Sequence, residues 1–232
     1  MNRQLPPGQR RRRDFPRFGL NWFAHRFPKV VDRIEIEIAG DVAATVMVSD
    51  QLRTLPRVEQ TSDFHCVTTW SQQSLRWGGV RFKDFYERMV KPDANPDSNA
   101  TFVVIKGQDG YCNSMALEDL LADDVLLADT LNGEPLPMEH GAPLRLVAPA
   151  HYGYKNVKHL QRIEFWRDDR NYSFPGPGLL EHRRARVALE ERSGTMPSWL
   201  CRLVYPPLVG FTAWMFRVGA ACYHRKRGMP SD

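Results

Sequence analysis

The run VVDRIEIEIAG, from Val30 to Gly40, sets Ile34, Ile36 and Ile38 against Arg33, Glu35 and Glu37 with a period of two. A helix cannot sort those residues onto opposite faces, whereas a strand does so automatically. The run therefore predicts an antiparallel strand with one side in a core and the other in water. Extended runs recur: VAATVMV from Val42, RVEQTSDFHCVTTW from Arg57, TFVVIKG from Thr101, LRLVAP from Leu144 and VKHLQRIEFW from Val157. Asn132-Gly133 marks a hairpin between apolar runs. Helical spacing is confined to VRFKDFYERMV, after a turn expected at Gly78-Gly79, and to LEDLLAD from Leu117. There is no repeating strand–helix rhythm, no GxGxxG and no GxxxxGKS or GxxxxGKT, which argues against dinucleotide and P-loop chemistry. The pattern predicts an α+β fold, β-rich and mixed.

A chain of 232 residues can bury one large core and carry an appendage. Its net charge of +5 is concentrated at the two ends, with six arginines in residues 1–19 and Arg225, Lys226 and Arg227 near the other terminus. Residues 1–19 therefore predict a flexible basic arm, 20–170 the folded domain, and 171–232 a C-terminal extension of loop plus helices. Contact of the arm with nucleic acid or with acidic lipid head groups is a minor reading. No apolar run follows RRRDF, so an export signal is not expected and a cytoplasmic location is. Within the extension, HRRARVALEER from His182 predicts a charged helix. The apolar run from Trp199 is interrupted by Arg202, Pro206, Pro207 and Arg217, short of the about 20 apolar residues that span a membrane. Two readings stay open for it: a helix packed on the domain or a partner, or a membrane-associated tail flanked by RKR.

The four cysteines, Cys66, Cys112, Cys201 and Cys222, form no CxxC, which fits a reducing compartment better than a disulfide scaffold. Cys66 lies within DFHCVTTWS, where strand alternation would turn His65 to the opposite face and deny the thiol an adjacent base. A buried core thiol is its ordinary role. A single soft thiolate also suits a metal that brings its other ligands with it. Farther on, Arg145, Lys155, Lys158, His159 and Arg162 crowd around Gly141 and Gly153, as backbone and guanidinium groups do around a phosphate. Solvated charges on one strand face are the alternative. GLNWFAHRFP, from Gly19, offers Asn21 and His25 either to a polar heterocycle or to a loop clamped by its aromatic residues.

Taken in order, NWFAH, FHCVTTWS with WGGVRFKDF, DGY, LNGEPLP, EHGAPLRLVAP and YGYKNVKHLQRIEF resemble the sulfite oxidase family of molybdenum enzymes. The likeness runs from about residue 20 to 167 and is to the haem-free bacterial branch, the protein-methionine-sulfoxide reductase type. It implies the fold of the sulfite oxidase molybdopterin-binding domain and a Mo-molybdopterin cofactor. It implies that Cys66 is the protein thiolate on molybdenum and that Asn21, Ala24 and His25 contact the pterin. His140 falls where the reductase type has a pterin-contacting asparagine. Arg145 matches the arginine near the cofactor phosphate, and Asn156, Val157 and Lys158 match the segment whose backbone binds it. Gly107 stands where the family often has Ser or Thr.

The implied activity is two-electron oxygen-atom transfer on a small substrate, a sulfur compound being one class open to it, with electrons exchanged with a separate redox partner. A catalytically inactive cofactor- or partner-binding homologue is the alternative. Sulfite oxidases carry an arginine-rich stretch after the ligand cysteine, whereas Val67, Thr68, Thr69 and Trp70 follow here, which directs the expectation away from sulfite.

Overall fold

Ile34, Ile36 and Ile38 are all buried, so the alternation points to the core as expected. The computed structural model describes residues 4–227; residues 1–3 of the basic arm and 228–232 of the extension lie outside the described residues. Eleven strands are built: β1 (Arg10–Arg11), β2 (Ile36–Gly40), β3 (Val46–Val48), β4 (Arg57–His65), β5 (Trp70–Arg81), β6 (Phe102–Gly107), β7 (Cys112–Ala116), β8 (Leu126–Leu131), β9 (Glu134–Pro135), β10 (Arg145–Val147) and β11 (Leu160–Trp166). Among the described residues the α-helices are α1 (Phe82–Phe85), α2 (Leu117–Leu120), α3 (Ser198–Val204) and α4 (Pro206–Arg227), and Tyr86–Ala94 continues α1 as a π-helix. The fold is α+β.

Two sheets result. One runs β1-β5-β8-β10, with β4 also on β5 and β9 on β8; the other runs β3-β2-β11-β6-β7. The strand β2 pairs antiparallel with β3 but parallel with β11, so its antiparallel expectation holds on one edge only. The main core gathers Ile34, Ile36 and Ile38 with Phe82, Phe85, Ile105, Leu146 and Phe165. Burial of each such side chain contributes about 1.5–3 kcal/mol. The hairpin at Asn132-Gly133 forms as its sequence predicts, with both residues at positive φ.

Three local expectations are corrected. Gly78-Gly79 is not a turn but lies inside β5, because a Cβ at Gly79 would overlap the Leu127 carbonyl of the neighbouring β8. Glycine there permits a close strand approach at a register shift. HRRARVALEER forms no helix: Ala185 takes φ 56°, and Ala185 and Val187 are buried against Tyr152. Tertiary burial overrides helix propensity. The arm also departs from the flexible reading. Arg10–Arg11 adds to β5 as a short parallel strand, Gln9 is buried with its amide donating to the Cys66 carbonyl, and Arg17 is buried.

The segment from Phe23 to Phe27 meets α4 over one side of the body. Phe216 of α4 packs with Phe23 and Ala24. A Cβ at Gly219 would overlap the Ala24 carbonyl, so glycine lets the α4 backbone ride directly on that segment. Tyr223 stacks on Phe27 at 4.3 Å, and His224 Nε2 lies 2.5 Å from Glu139 Oε1.

Candidate active site

A cavity of about 240 Å³ lies between four pieces of chain: the arm from Phe15 to Phe23, the β4–β5 hairpin tip, the segment from Gly153 to His159, and the start of α4. The last supplies Leu208, Thr212 and Phe216, spaced by four and therefore on one helix face.

Cys66 stands in this wall, at a position that differs from the continuous strand its flanks predict. The strand ends at His65 and resumes at Trp70; between them Thr69 N–H donates to the Cys66 carbonyl, and Thr69 takes φ 78°. The tight turn puts Cys66 at a hairpin apex, with its thiol 3.0 Å from the Thr68 hydroxyl. Burial pushes the thiol pKa up, so a thiolate here needs a cation to hold it. His65 is no base for it, because its Nδ1 meets the Ser71 hydroxyl at 2.8 Å instead.

The cations nearby are short of anions. Arg145 is buried and donates only to carbonyls, of Leu146, His140 and Asn156. Lys158 Nζ donates to the Glu139 carbonyl, and Arg17 to the carbonyls of Phe23, Ala24 and Arg26. Among the described residues none of these three has a carboxylate at ion-pair distance, although other cations on the same segments do, Lys155 with Glu181 and Arg162 with Glu37. Burial lowers Arg145 to about 9 and Arg17 to about 10. Burial, then the Arg145 and Arg17 charges, push Lys158 well below the usual lysine range. Asp109 shares the cavity wall, but burial raises its carboxyl pKa. Unpaired buried charge is costly, and a bound anion relieves it.

The other polar atoms of the wall point the same way. His159 Nδ1 lies 2.7 Å from the Ala142 carbonyl, so it carries the proton and leaves Nε2 as an acceptor. That Nε2 is buried without a partner, as are Trp70 Nε1 and the Tyr205 hydroxyl, and all three residues line the cavity. A donor, an acceptor and a hydroxyl without partners, beside a cation cluster and a thiol, fit a polar anionic heterocycle that carries a soft metal.

Of the residues singled out in the sequence, Asn21, Cys66, Arg145, Asn156 and Lys158 line this cavity. Ala24, His25, Gly107, His140 and Val157 do not. The Ala24 carbonyl is covered by Arg17 and Gly219, while His25 is exposed. A Cβ at Gly107 would overlap the Lys158 carbonyl, so this glycine makes room for Lys158. His140 stacks on Phe15 at 4.4 Å and lends its carbonyl to Arg145. Burial lowers its imidazole to about 3. The N–H groups of Asn156 and Val157 are engaged by the Gly153 and Lys155 carbonyls, so the neighbouring cations are the groups left for an anion. Lys155 and Arg162 leave the crowd altogether, Lys155 reaching the Ser114 carbonyl and Arg162 pairing across the sheet. Sequence reading named His159 in the basic cluster but missed Arg17 and Tyr205, which only long-range packing brings to the cavity.

Comparison with known proteins agrees with this chemistry. Residues 24–174 match the family model for the oxidoreductase molybdopterin binding domain. The chain is 33% identical over 167 residues to the uncharacterized oxidoreductase YuiH of Bacillus subtilis, covering 72% of this chain and 81% of that one. It is 32% identical over 147 residues to the protein-methionine-sulfoxide reductase catalytic subunit MsrP of Gluconobacter oxydans, covering 55% of this chain and 45% of MsrP. Among solved structures, the sulfane dehydrogenase SoxCD of Paracoccus pantotrophus superposes with a TM-score of 0.50 at 23% identity, over 58% of this chain and 38% of that one, a likeness of fold. The chain thus spans less than half the length of these last two proteins. The cofactor this fold family takes is Mo-molybdopterin, and the donor set around the cavity fits it. The chain belongs to the molybdopterin-binding oxidoreductase family.

Proposed function

We propose that the chain catalyses two-electron oxygen-atom transfer on a small, uncharged sulfur compound, with a sulfoxide as the substrate class and a separate redox protein as electron donor. The observation that carries the reading is the thiol of Cys66 in one cavity wall with three cations that lack carboxylate partners. In this reading Cys66 holds the metal, Arg145, Lys158 and Arg17 hold the cofactor phosphate, and Trp70 Nε1 and His159 Nε2 meet the polar edge of the heterocycle. When bound, the cofactor supplies the two-electron and oxygen-accepting chemistry.

The rest falls to the protein. The side chains beside the thiol, Phe64, Val67, Thr68 and Trp70, are apolar or neutral and favour an uncharged substrate over a sulfur oxyanion. The name of the Gluconobacter relative supports a sulfoxide. In the balanced reaction the sulfoxide takes up two electrons and two protons, its sulfur–oxygen bond breaks, and a thioether and water leave. Burial, with the Cys201 thiol beside it, holds the Tyr205 hydroxyl protonated well above the usual tyrosine range, so it stays a donor at the cavity wall. The arm and α4 cover the cavity and restrict water there.

The test is turnover by molybdenum-loaded protein with a reduced dye donor and an alkyl or methionyl sulfoxide. Sulfoxide-dependent dye oxidation that is lost in Cys66→Ala is expected. Efficient oxidation of sulfite with an artificial acceptor, and none of the sulfoxide reaction, would overturn the substrate class.

A further inference from the structure

The large apolar side chains left exposed are not scattered. Seven of the eleven recorded among the described residues lie between Trp199 and Val218, in α3 and α4. Trp199 is 65% exposed, Leu203 69%, Phe211 56% and Trp214 58%. On α4, Phe211, Trp214 and Val218 follow one another by three and four residues, so they form a stripe on the side turned away from the buried Thr212 and Phe216. Arg225, seven residues past Val218, continues that stripe in charge, and Arg217 and Lys226 flank it; all three are exposed. Residues 198–227 contain no Asp or Glu. Among the described residues no helix is long and apolar enough to cross a membrane.

We propose that this face of α3 and α4 docks on an anionic lipid surface, with the helix lying in the plane of the head groups. Isolated apolar residues on a surface are ordinary, whereas a contiguous patch rimmed by charge of one sign marks an interaction site. The occupant follows from shape and charge. The stripe is the convex side of a helix rather than a groove, so it presents no pocket for a shaped protein anchor. Two exposed indoles and a phenyl ring beside the exposed Arg217, Arg225 and Lys226 are the groups that partition into the head-group layer of an acidic bilayer. The nearby carboxylates, Glu190 and Glu139, are taken up by Arg202 and His224. Leu208 is 52% exposed but shares the cavity face of α4 with Thr212 and Phe216, so the docking stripe lies on the other side of that helix from the active site.

The experiment is flotation of the molybdenum-loaded full chain with vesicles of phosphatidylcholine alone or with roughly 30% phosphatidylglycerol. The bound fraction should be at least about ten-fold higher with the anionic vesicles and should fall as salt is raised. Two variants at exposed positions, Phe211→Ser with Trp214→Ser, and Arg225→Glu with Lys226→Glu, should each lower that binding about ten-fold. Their molybdenum content and melting temperature should match the parent. Absence of binding to anionic vesicles would overturn the proposal, as would binding that both double variants leave unchanged. A concentration-dependent dimer that Phe211→Ser with Trp214→Ser dissolves, without vesicle binding by the parent, would assign the face to a second copy instead and overturn it equally.

Discussion

Arg145 donates from Nη2 to the Asn156 carbonyl at 3.3 Å, while the Asn156 side chain accepts the Ala148 N–H at 2.7 Å. The pair ties β10 of one sheet to the crossover that leads into β11 of the other, and it holds a guanidinium at the cavity with no carboxylate to neutralise it. Its positive charge is therefore available to a ligand. Charge-assisted hydrogen bonds contribute about 1.5–3 kcal/mol. Arg145→Met should weaken retention of the cofactor by about 10- to 100-fold. Molybdenum and phosphate per chain after dialysis measure it, and unchanged content would remove Arg145 from the phosphate site.

The four thiols should react in an order set by exposure. Cys222 is exposed and Cys112 half-buried, whereas Cys66 and Cys201 are buried. In cofactor-free protein a maleimide should label Cys222 first and Cys66 slowly. The Cys66 rate should climb with pH through and beyond the ordinary thiol range near 9, because burial raises that thiol. In loaded protein Cys66 should be fully protected while Cys222 is unaffected. Peptide mapping reads both, and equal Cys66 labelling with and without cofactor would contradict metal ligation.

Cofactor-free protein should lose stability in acid through its imidazoles. Burial lowers those of His65, His151 and His182, and two others most of all. Burial holds His140 and His159 to about 3. An unfolded histidine takes its proton near 6.5. Between those values the unfolded chain binds more protons than the folded one, so stability is full above about 6.5 and falls as pH drops toward about 3. Each group contributes a loss of up to about 1.4 kcal/mol per pH unit in that window. Asp109, whose carboxyl is raised by burial, acts in the opposite sense over part of it. Calorimetry between pH 7 and 4 should show the decline. His159→Asn, which tolerates the φ of 54° at that position, should flatten it.

Tyr205→Phe removes one hydroxyl from the cavity wall and leaves the ring's volume in place. The neighbour of the hydroxyl is the Cys201 thiol, a weak hydrogen-bonding group, so removing the hydroxyl should cost little stability. If it delivers a proton to the leaving oxygen, kcat should fall by about 100-fold with KM little changed. A variant with parental kcat would assign Tyr205 to packing alone.

What was legible in the sequence was local. The period of two at Ile34, Ile36 and Ile38 depends only on which side of a strand each residue takes, and Asn132-Gly133 only on a turn that demands positive φ. Cys66, Arg145 and Lys158 were legible as a soft donor and a basic cluster. The rest depends on contacts far apart in the chain. The glycines at 78 and 79 look like a turn until Leu127 and Thr130 arrive beside them. Phe15, Arg17 and Tyr205 have nothing in their own neighbourhoods that points to Cys66, yet the arm and the tail place all three in its cavity. A charged run such as HRRARVALEER reads as a helix until Val187 and Ala185 find Tyr152 to bury against.

The seat of Gly219 on the Ala24 carbonyl is what lets α4 lie close enough to close the cavity. Residues 205–227 leave the ribosome after both sheets, the hairpin and the basic cluster have been synthesised. Until they arrive, the cavity lacks the wall made by Tyr205, Leu208, Thr212 and Phe216 and stays open on that side. A body on which that helix is not yet seated would leave the cavity open to a bulky cofactor, and seating the helix would close it. A side chain larger than hydrogen at position 219 would leave it ajar.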